Sequence, residues 1–283
     1  AGVKKVVATN PDPNPLVAGQ GFSRLRAAGV EVEILSTNDP LAIQSRELNI
    51  GFFSRMIRKT PWVRGKVAAS LDGKTALENG SSQWITSPAA RADGHAWRAR
   101  SCAVLTGIGT VLQDNPRLDV RLVQTPRQPM IVIVDSGLNT PVNAAIFVPR
   151  RDVLIYTATR SETKRSALEE SGATVLFAPG TLADGTPTGK VDLAAMLLDL
   201  GRREINELHI EAGHRLNGSL IREGLVDELL IYLAPKLLGQ GRDMASWGPL
   251  SDLAQALQLD FRSTTMVGPD LRLLARVAGR DVF

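Results

Sequence analysis

The sequence predicts an α/β protein whose central sheet is mostly parallel and flanked by helices. Three observations predict it. Short continuous apolar runs such as Met130-Ile131-Val132-Ile133-Val134 recur, as expected of strands buried on both faces. Helical patterns of about ten residues alternate with these runs. Several runs end in polar or glycine turns, where α/β proteins bind small ligands.

Residues 1–35 read as the end of an α/β unit: a strand over 3–8, a turn-rich stretch over 11–21, a helix over 22–28 and a strand over 30–35. Alone this is too small to bury a stable core. Residues 40–59 read as one amphipathic helix, with Leu41, Ile43, Leu48, Phe52, Phe53 and Ile57 apolar and Arg55, Arg58 and Lys59 at its C-terminal end.

The central stretch, 66–121, starts with the run Val67-Ala68-Ala69 and a turn at Ser70-Leu71-Asp72-Gly73. A polar loop leads to Gln83-Trp84-Ile85-Thr86. Ser87-Pro88 then signals a helix start, with serine as N-cap and proline first in the helix. Arg91, His95 and Arg98 recur at helical spacing, which predicts one basic face. The run Ala103-Val104-Leu105 passes into a glycine turn, 106–110, and Asp114-Asn115-Pro116 forms an acidic turn.

Beyond it, strands are expected over 130–136, 152–157 and 173–177, helices over 162–171 and 192–200, and a surface loop over 180–189. Residues 207–211 enter a glycine turn and a helix start, 212–220. Converging backbone N–H groups there suit a pyrophosphate, although a plain strand–helix connection reads the same way. The spacing is not G-x-G-x-x-G. Long final strands are expected over 226–238 and 257–277, with Pro235 at a strand end. Their apolar residues suggest pairing with a second subunit as a homodimer.

Composition narrows the function. The 283 residues are 43% hydrophobic and 22% charged, with a net charge of +4 from 33 basic and 29 acidic side chains. Scattered cations and 5% aromatics argue against a nucleic-acid surface. No apolar run reaches about 18 residues, so no membrane partner is expected. The first ten residues lack a signal core. The single cysteine, Cys102, rules out an internal disulfide and reads as a core residue. A cytoplasmic enzyme is expected.

Three blocks, KVAASLDGKTA, SSQWITSPAAR and GTVLQDNPRLDVR, together resemble the reductase domain of the bifunctional riboflavin biosynthesis deaminase-reductase family. The resemblance implies a dihydrofolate-reductase-like fold over 59–283. It implies NADPH as cofactor and 5-amino-6-(5-phosphoribosylamino)uracil, a phosphoribosyl-pyrimidine, as the substrate reduced to its ribitylamino product. It also supports the homodimer. ATNPDPNPLVAGQGFSRLRAAGVEVE resembles the last segment of the same family's cytidine-deaminase-like half, so 1–58 is expected to be a remnant of that domain plus a linker helix, and the chain a fragment. Zinc deaminases need a His-x-Glu and a Pro-Cys-x-x-Cys ligand set. One cysteine cannot supply it, so no metal and no deaminase activity are expected.

The resemblance assigns site residues as well. Ala68 and Trp84 would touch the nicotinamide half of the cofactor, Thr110 and Asp114 would add contacts, and Ser136 would lie near the adenosine. Gly213, His214, Arg215, Leu216, Asn217, Gly218 and Ser219 would hold the diphosphate. Ser82, Arg98, Leu118, Arg121 and Glu211 would bind substrate, with Lys66 and Glu211 catalytic. Forked guanidinium donors suit a phosphate, although Arg98 could equally serve its helix end and Arg121 be solvated. A lysine at 66 could place a charge near the opening ribose or only satisfy carbonyls. Asp72 reads as a turn former and Trp97 as packing. The rival readings are a pterin or dihydrofolate-type reductase, whose substrate lacks the phosphate, and a catalytically silent nucleotide-binding module.

Overall fold

The structure is a computed structural model and describes residues 2–283. In chain order the elements are β1 (Lys5–Ala8), α1 (Gln20–Ala27), β2 (Glu31–Ile34), α2 (Pro40–Leu48), α3 (Ile50–Arg58), β3 (Trp62–Ser70), β4 (Lys74–Leu77), α4 (Pro88–Arg100), β5 (Ala103–Gly107) and α5 (Ile108–Asp114). Then follow β6 (Met130–Val134), β7 (Val153–Thr157), α6 (Glu162–Glu170), β8 (Ala173–Phe177), β9 (Pro179–Thr181), β10 (Pro187–Val191), α7 (Leu193–Arg202), β11 (Glu207–Ile210) and α8 (His214–Arg222). The chain closes with β12 (Glu228–Ala234), β13 (Gly241–Asp243), β14 (Leu259–Val267) and β15 (Asp270–Val277).

Nine strands form one sheet in the order β14-β15-β12-β3-β11-β5-β6-β7-β8. From β12 to β8 every pair is parallel, while β15 runs antiparallel to β12 and β14 antiparallel to β15. The α/β expectation therefore holds. Strand alternation sends Val132 and Leu154 to the face covered by α7 and α8, and Ile131, Ile133 and Ile155 to the face carrying α6. The α4 helix covers β12 through Ala90, Leu230 and Tyr232.

Four sequence expectations change. The 40–59 helix breaks at Asn49, whose side chain donates to the Ser45 carbonyl and whose backbone leaves helical geometry. The break lets α3 turn Ile50, Phe53 and Ser54 inward against the sheet. There Arg58 pairs with Asp227 at 2.9 Å and lies over the rings of Trp62 and Phe283. Residues 180–189 contain most of an antiparallel pair, β9–β10, rather than an open loop. Inside the polar loop, β4 pairs with β13. The presumed glycine turn after β5 is the first turn of α5.

Close backbone approaches account for two glycines. A Cβ on Gly51 would lie 2.5 Å from the Asn206 carbonyl oxygen, and one on Gly201 would overlap the Lys59 carbonyl. Backbone cannot retreat as a side chain can. Gly201→Ala is expected to lower stability by about 2 kcal/mol or more, read as the urea unfolding midpoint. An unchanged midpoint would show that α7 can slide away from Lys59.

Candidate active site

Period-two geometry aims Arg64 and Lys66 of β3, Glu228 and Tyr232 of β12, and Glu207, His209 and Glu211 at β11 and its end toward α4. The sheet thus carries a layer of charge there instead of a hydrocarbon face. Arg64 binds Glu228 at 2.7 Å and Glu207 at 2.9 Å, and Arg276 extends the chain to Glu47 of α2. Arg64, Glu207, Glu228 and Arg276 each have an opposite charge in contact, as burial requires.

The charged layer opens toward the C-terminal ends of β3 and β11. Glu211 accepts from Arg98 Nε at 2.7 Å and from Nη2 at 3.0 Å, and Arg98 Nη1 donates to the Asp119 carbonyl. Every nitrogen of this buried guanidinium is thereby engaged. Its role in the structure is to hold Glu211 rather than to stand ready as a free phosphate fork. Burial pushes the Glu211 carboxyl up, but Arg98, His209 and Lys66 outweigh it and hold it well below the usual carboxylate range. Lys66 is pushed down by burial, against the pull of Glu211 and with a further push from Arg98. Among the described residues no carboxylate oxygen lies within 4.0 Å of its ammonium, which sits 6.0 Å from the Tyr232 ring centroid.

Half-exposed guanidinium groups line the rim. Arg117 and Arg121 each bind one oxygen of Asp119 at 2.7 Å, and both keep about half of their side chain in solvent. Leu118, assigned to substrate, has its side chain in the core and a positive φ of 49°, and its carbonyl accepts from Arg151 at 2.9 Å. Ser82 is half-buried in the loop before Trp84.

The expected basic face of α4 divides into separate tasks. Ser87 does cap the helix, accepting from Ala90 N at 3.3 Å. Arg91 stacks on Trp84, Arg98 holds Glu211, and His95 accepts from Arg121 N at 3.2 Å. Burial, helped by Arg98 and Arg121, pushes His95 down to about 4, so it is neutral near pH 7. His209 and His214 are lowered in the same direction by burial. A histidine whose pKa falls on folding opposes protonation, so stability is expected to drop as pH falls from about 6.5 toward 4. His95→Gln is expected to remove up to one proton from that slope, checked by urea midpoints across the range. An unchanged slope would mean that His95 titrates normally.

Around the cofactor positions, Trp84 is 61% exposed. Thr110 of α5 meets the start of α8, its Oγ1 lying 3.8 Å from where a Gly213 Cβ would be. The first turn of α8 has no side-chain cap, which leaves its N–H groups free for an anion. Residues 214–219 are helix rather than turn. Leu216 packs over Gly107, Asn217 donates to the Ala212 and Met244 carbonyls, and Gly218 lets the Ser246 backbone pass. Within 213–219, Gly213 and Arg215 are exposed, His214 is half-buried and Gly218 is buried. Ser136, after β6, accepts from Val191 N, and Asp114 ends α5. Ala68 lies beside Tyr232 in register.

Asp72 is a turn former, as expected: Ser70 Oγ and the Leu238 and Gly239 amides donate to it and hold it at about 2. Trp97, on α4, packs against the Leu230 and Tyr232 cluster, as expected, and also receives Arg64 at 4.6 Å. His209-Ile210-Glu211 spells the His-x-Glu half of the deaminase ligand signature. Among the described residues, however, no group of three His, Cys, Asp or Glu could hold a metal ion. Arg117 was missed although its partner Asp119 is two residues away, whereas Lys236 and the Tyr232–Asp93 hydrogen bond were missed because nothing local marks pairings that close between segments distant in sequence.

A largely parallel sheet with an uncapped helix start, an exposed tryptophan and a buried carboxylate–guanidinium pair at its strand ends defines an α/β enzyme with a nucleotide cleft. The RibD C-terminal domain family matches residues 61–273, and the chain belongs to that family. It is 39% identical over 276 residues to the riboflavin biosynthesis protein RibD of Escherichia coli K12, covering 96% of this chain and 74% of that one. A solved structure of Acinetobacter baumannii RibD is similar over 98% of this chain and 73% of its own, with 37% identity and a TM-score of 0.83. A Thermotoga maritima structure, described as a diaminohydroxyphosphoribosylaminopyrimidine deaminase/5-amino-6-(5-phosphoribosylamino)uracil reductase, matches at 27% identity and TM-score 0.78 over 98% of this chain and 72% of its own. Among the described residues no helix is long and apolar enough to cross a membrane.

Proposed function

We propose that the chain reduces 5-amino-6-(5-phosphoribosylamino)uracil with NADPH, forming the ribitylamino product. The observation that carries this reading is family membership together with the reductase described in the Thermotoga maritima relative. The site supports it. The uncapped α8 start, the open Gly213 and the exposed Trp84 face fit a nicotinamide dinucleotide laid across the strand ends.

The reaction opens the ribosylamine to an imine, adds hydride to the sugar carbon and one proton to nitrogen. The cofactor supplies the hydride. The protein's part is orientation, electrostatics and exclusion of water. Glu211, held ionised by Arg98, accepts hydrogen bonds from sugar hydroxyls or the pyrimidine. Lys66 places an unpaired ammonium beside the opening ribose and opposes protonation elsewhere on that face. Arg121, with Arg117 beside it, has the exposure to grip the phosphate, while Arg98 positions Glu211 from behind. The β14 edge, with Phe261 and Met266 exposed, is the surface we assign to a homodimer.

Loss of NADPH absorbance tests the assignment. Turnover is expected with the phosphoribosylaminopyrimidine and none with dihydrofolate. The reverse pattern would make this a pterin-type reductase, and tight cofactor binding without turnover would make it a silent module. Arg121→Ala is expected to raise KM for the phosphorylated substrate about tenfold or more, with kcat little changed. A fall in kcat with constant KM would move the phosphate elsewhere.

A further inference from the structure

We infer that Arg91 sets the cofactor's redox preference: standing behind Trp84, it disfavours the cationic oxidised nicotinamide and spares the neutral reduced ring. The inference rests on the reading above, in which the exposed Trp84 face meets a nicotinamide dinucleotide, and it puts the nicotinamide ring on that face.

The geometry leaves one face of the indole for a ligand. Arg91 Cζ lies 4.4 Å from the Trp84 ring centroid, within cation–π range. Its position is fixed at both ends. The Arg91 backbone N–H donates to the Ser87 carbonyl at 3.1 Å, and Nη1 donates to the Thr86 carbonyl at 2.8 Å. With that face closed by a guanidinium, a planar ligand reaches the indole from the opposite side; the residue as a whole is 61% exposed.

A second cation attends the same segment. Lys236 Nζ donates to the Ile85 carbonyl at 2.9 Å and to the Trp84 carbonyl at 3.3 Å. Among the described residues, neither Arg91 nor Lys236 has a carboxylate within 4.0 Å. The nearby acids are committed elsewhere. Asp93 on α4 takes Arg272 and the Tyr232 hydroxyl, Asp270 accepts from Ser87 N, and Asp72 accepts from Leu238 and Gly239. Asp72 and Asp270 keep their charge under those amide bonds, so what the Trp84 wall presents at contact range is two cations, Arg91 and Lys236, without a direct ion pair.

Hydride transfer turns the nicotinamide from a neutral ring into a cation. A cation stacked on the open face would face the Arg91 charge through the indole at roughly 8 Å, given ordinary stacking distances. The indole quadrupole is already engaged by Arg91 and offers less to a second cation. Coulomb repulsion at that separation corresponds to roughly 3- to 30-fold in affinity between high and intermediate effective dielectric. The neutral reduced ring incurs no such penalty. The spent cofactor is thus the one the site releases.

The test measures dissociation constants for NADPH and NADP+ by calorimetry, without substrate, in the wild-type chain and in Arg91→Met, Arg91→Gln and Arg91→Lys. Both neutral variants are expected to bind NADP+ roughly 3- to 30-fold tighter relative to NADPH, and the lysine variant to keep the wild-type ratio. Product inhibition by NADP+ should deepen in the neutral variants. Parallel weakening of both forms would make Arg91 a brace for the loop, and an unchanged ratio in both neutral variants would equally overturn the proposal. A wild-type chain that binds neither nucleotide would fail the cofactor reading itself, a different result from either.

Discussion

Arg98→Ala is expected to lower kcat/KM for the phosphoribosylaminopyrimidine by about a hundredfold or more, with NADPH affinity nearly intact. The argument is desolvation. Arg98 is the only side chain giving Glu211 two direct guanidinium bonds, at 2.7 and 3.0 Å. Without them a buried carboxylate loses its main counter-charge, and burial then favours its protonated form. A neutral Glu211 can no longer orient hydroxyls as an acceptor, so the acid limb of the pH–rate profile should move up. Arg98→Lys should recover little, because a point charge cannot make the forked contact. Equal loss of substrate and NADPH affinity would show instead that Arg98 holds the fold.

Arg276→Ala is expected to have the largest effect on stability, about 3–5 kcal/mol. The side chain is 2% exposed and binds Glu47 at 2.6 and 2.8 Å, Glu228 at 2.9 Å and Asp281 at 2.9 Å. Truncation strands Glu228 on the buried face with Arg64 as its remaining partner. It also removes the two shorter bonds between α2 and the sheet and leaves Glu47 only Arg262 at 3.3 Å, so protease cleavage within 40–48 should accelerate. Pairing Arg276→Met with Glu228→Gln should restore part of the loss, since removing both charges leaves no unpaired one. Thermal melting checks both variants. A melting temperature unchanged by Arg276→Ala would mean that the ladder contributes nothing net.

The same ladder bears on domain organisation. The division at 58 separates α3 from a sheet into which it is packed by Phe53, Gly51 and the Arg58–Asp227 pair. We propose that the reductase unit includes α3 and that the division falls earlier. The β1–β2 pair, by contrast, forms its own two-stranded sheet. Limited proteolysis should release the first segment before it opens α3.

Local patterns read well where one physical cause dominates. The parallel strands were legible because burial on both faces demands apolar residues in succession, as in 130–134 and 153–157. The α4 start was legible because Ser87 and Pro88 answer the unsatisfied N–H groups of a first turn. The family followed from three blocks of residues in the right order, and comparison bore it out. Helix continuity past Asn49 was not legible, since the apolar period continues while a side chain–carbonyl bond breaks the helix.

The amino-acid sequence by itself determined the α/β class, the family and the set of residues that could enter the site. Only the tertiary structure decided what each does. Arg98 and Glu211 are 113 positions apart and become partners because β11 inserts between β3 and β5. Arg91 and Trp84 become a stack because the loop folds back over the first turn of α4. A residue's type sets which bonds it can make, but desolvation and distance, which select among them, exist only once the chain has folded.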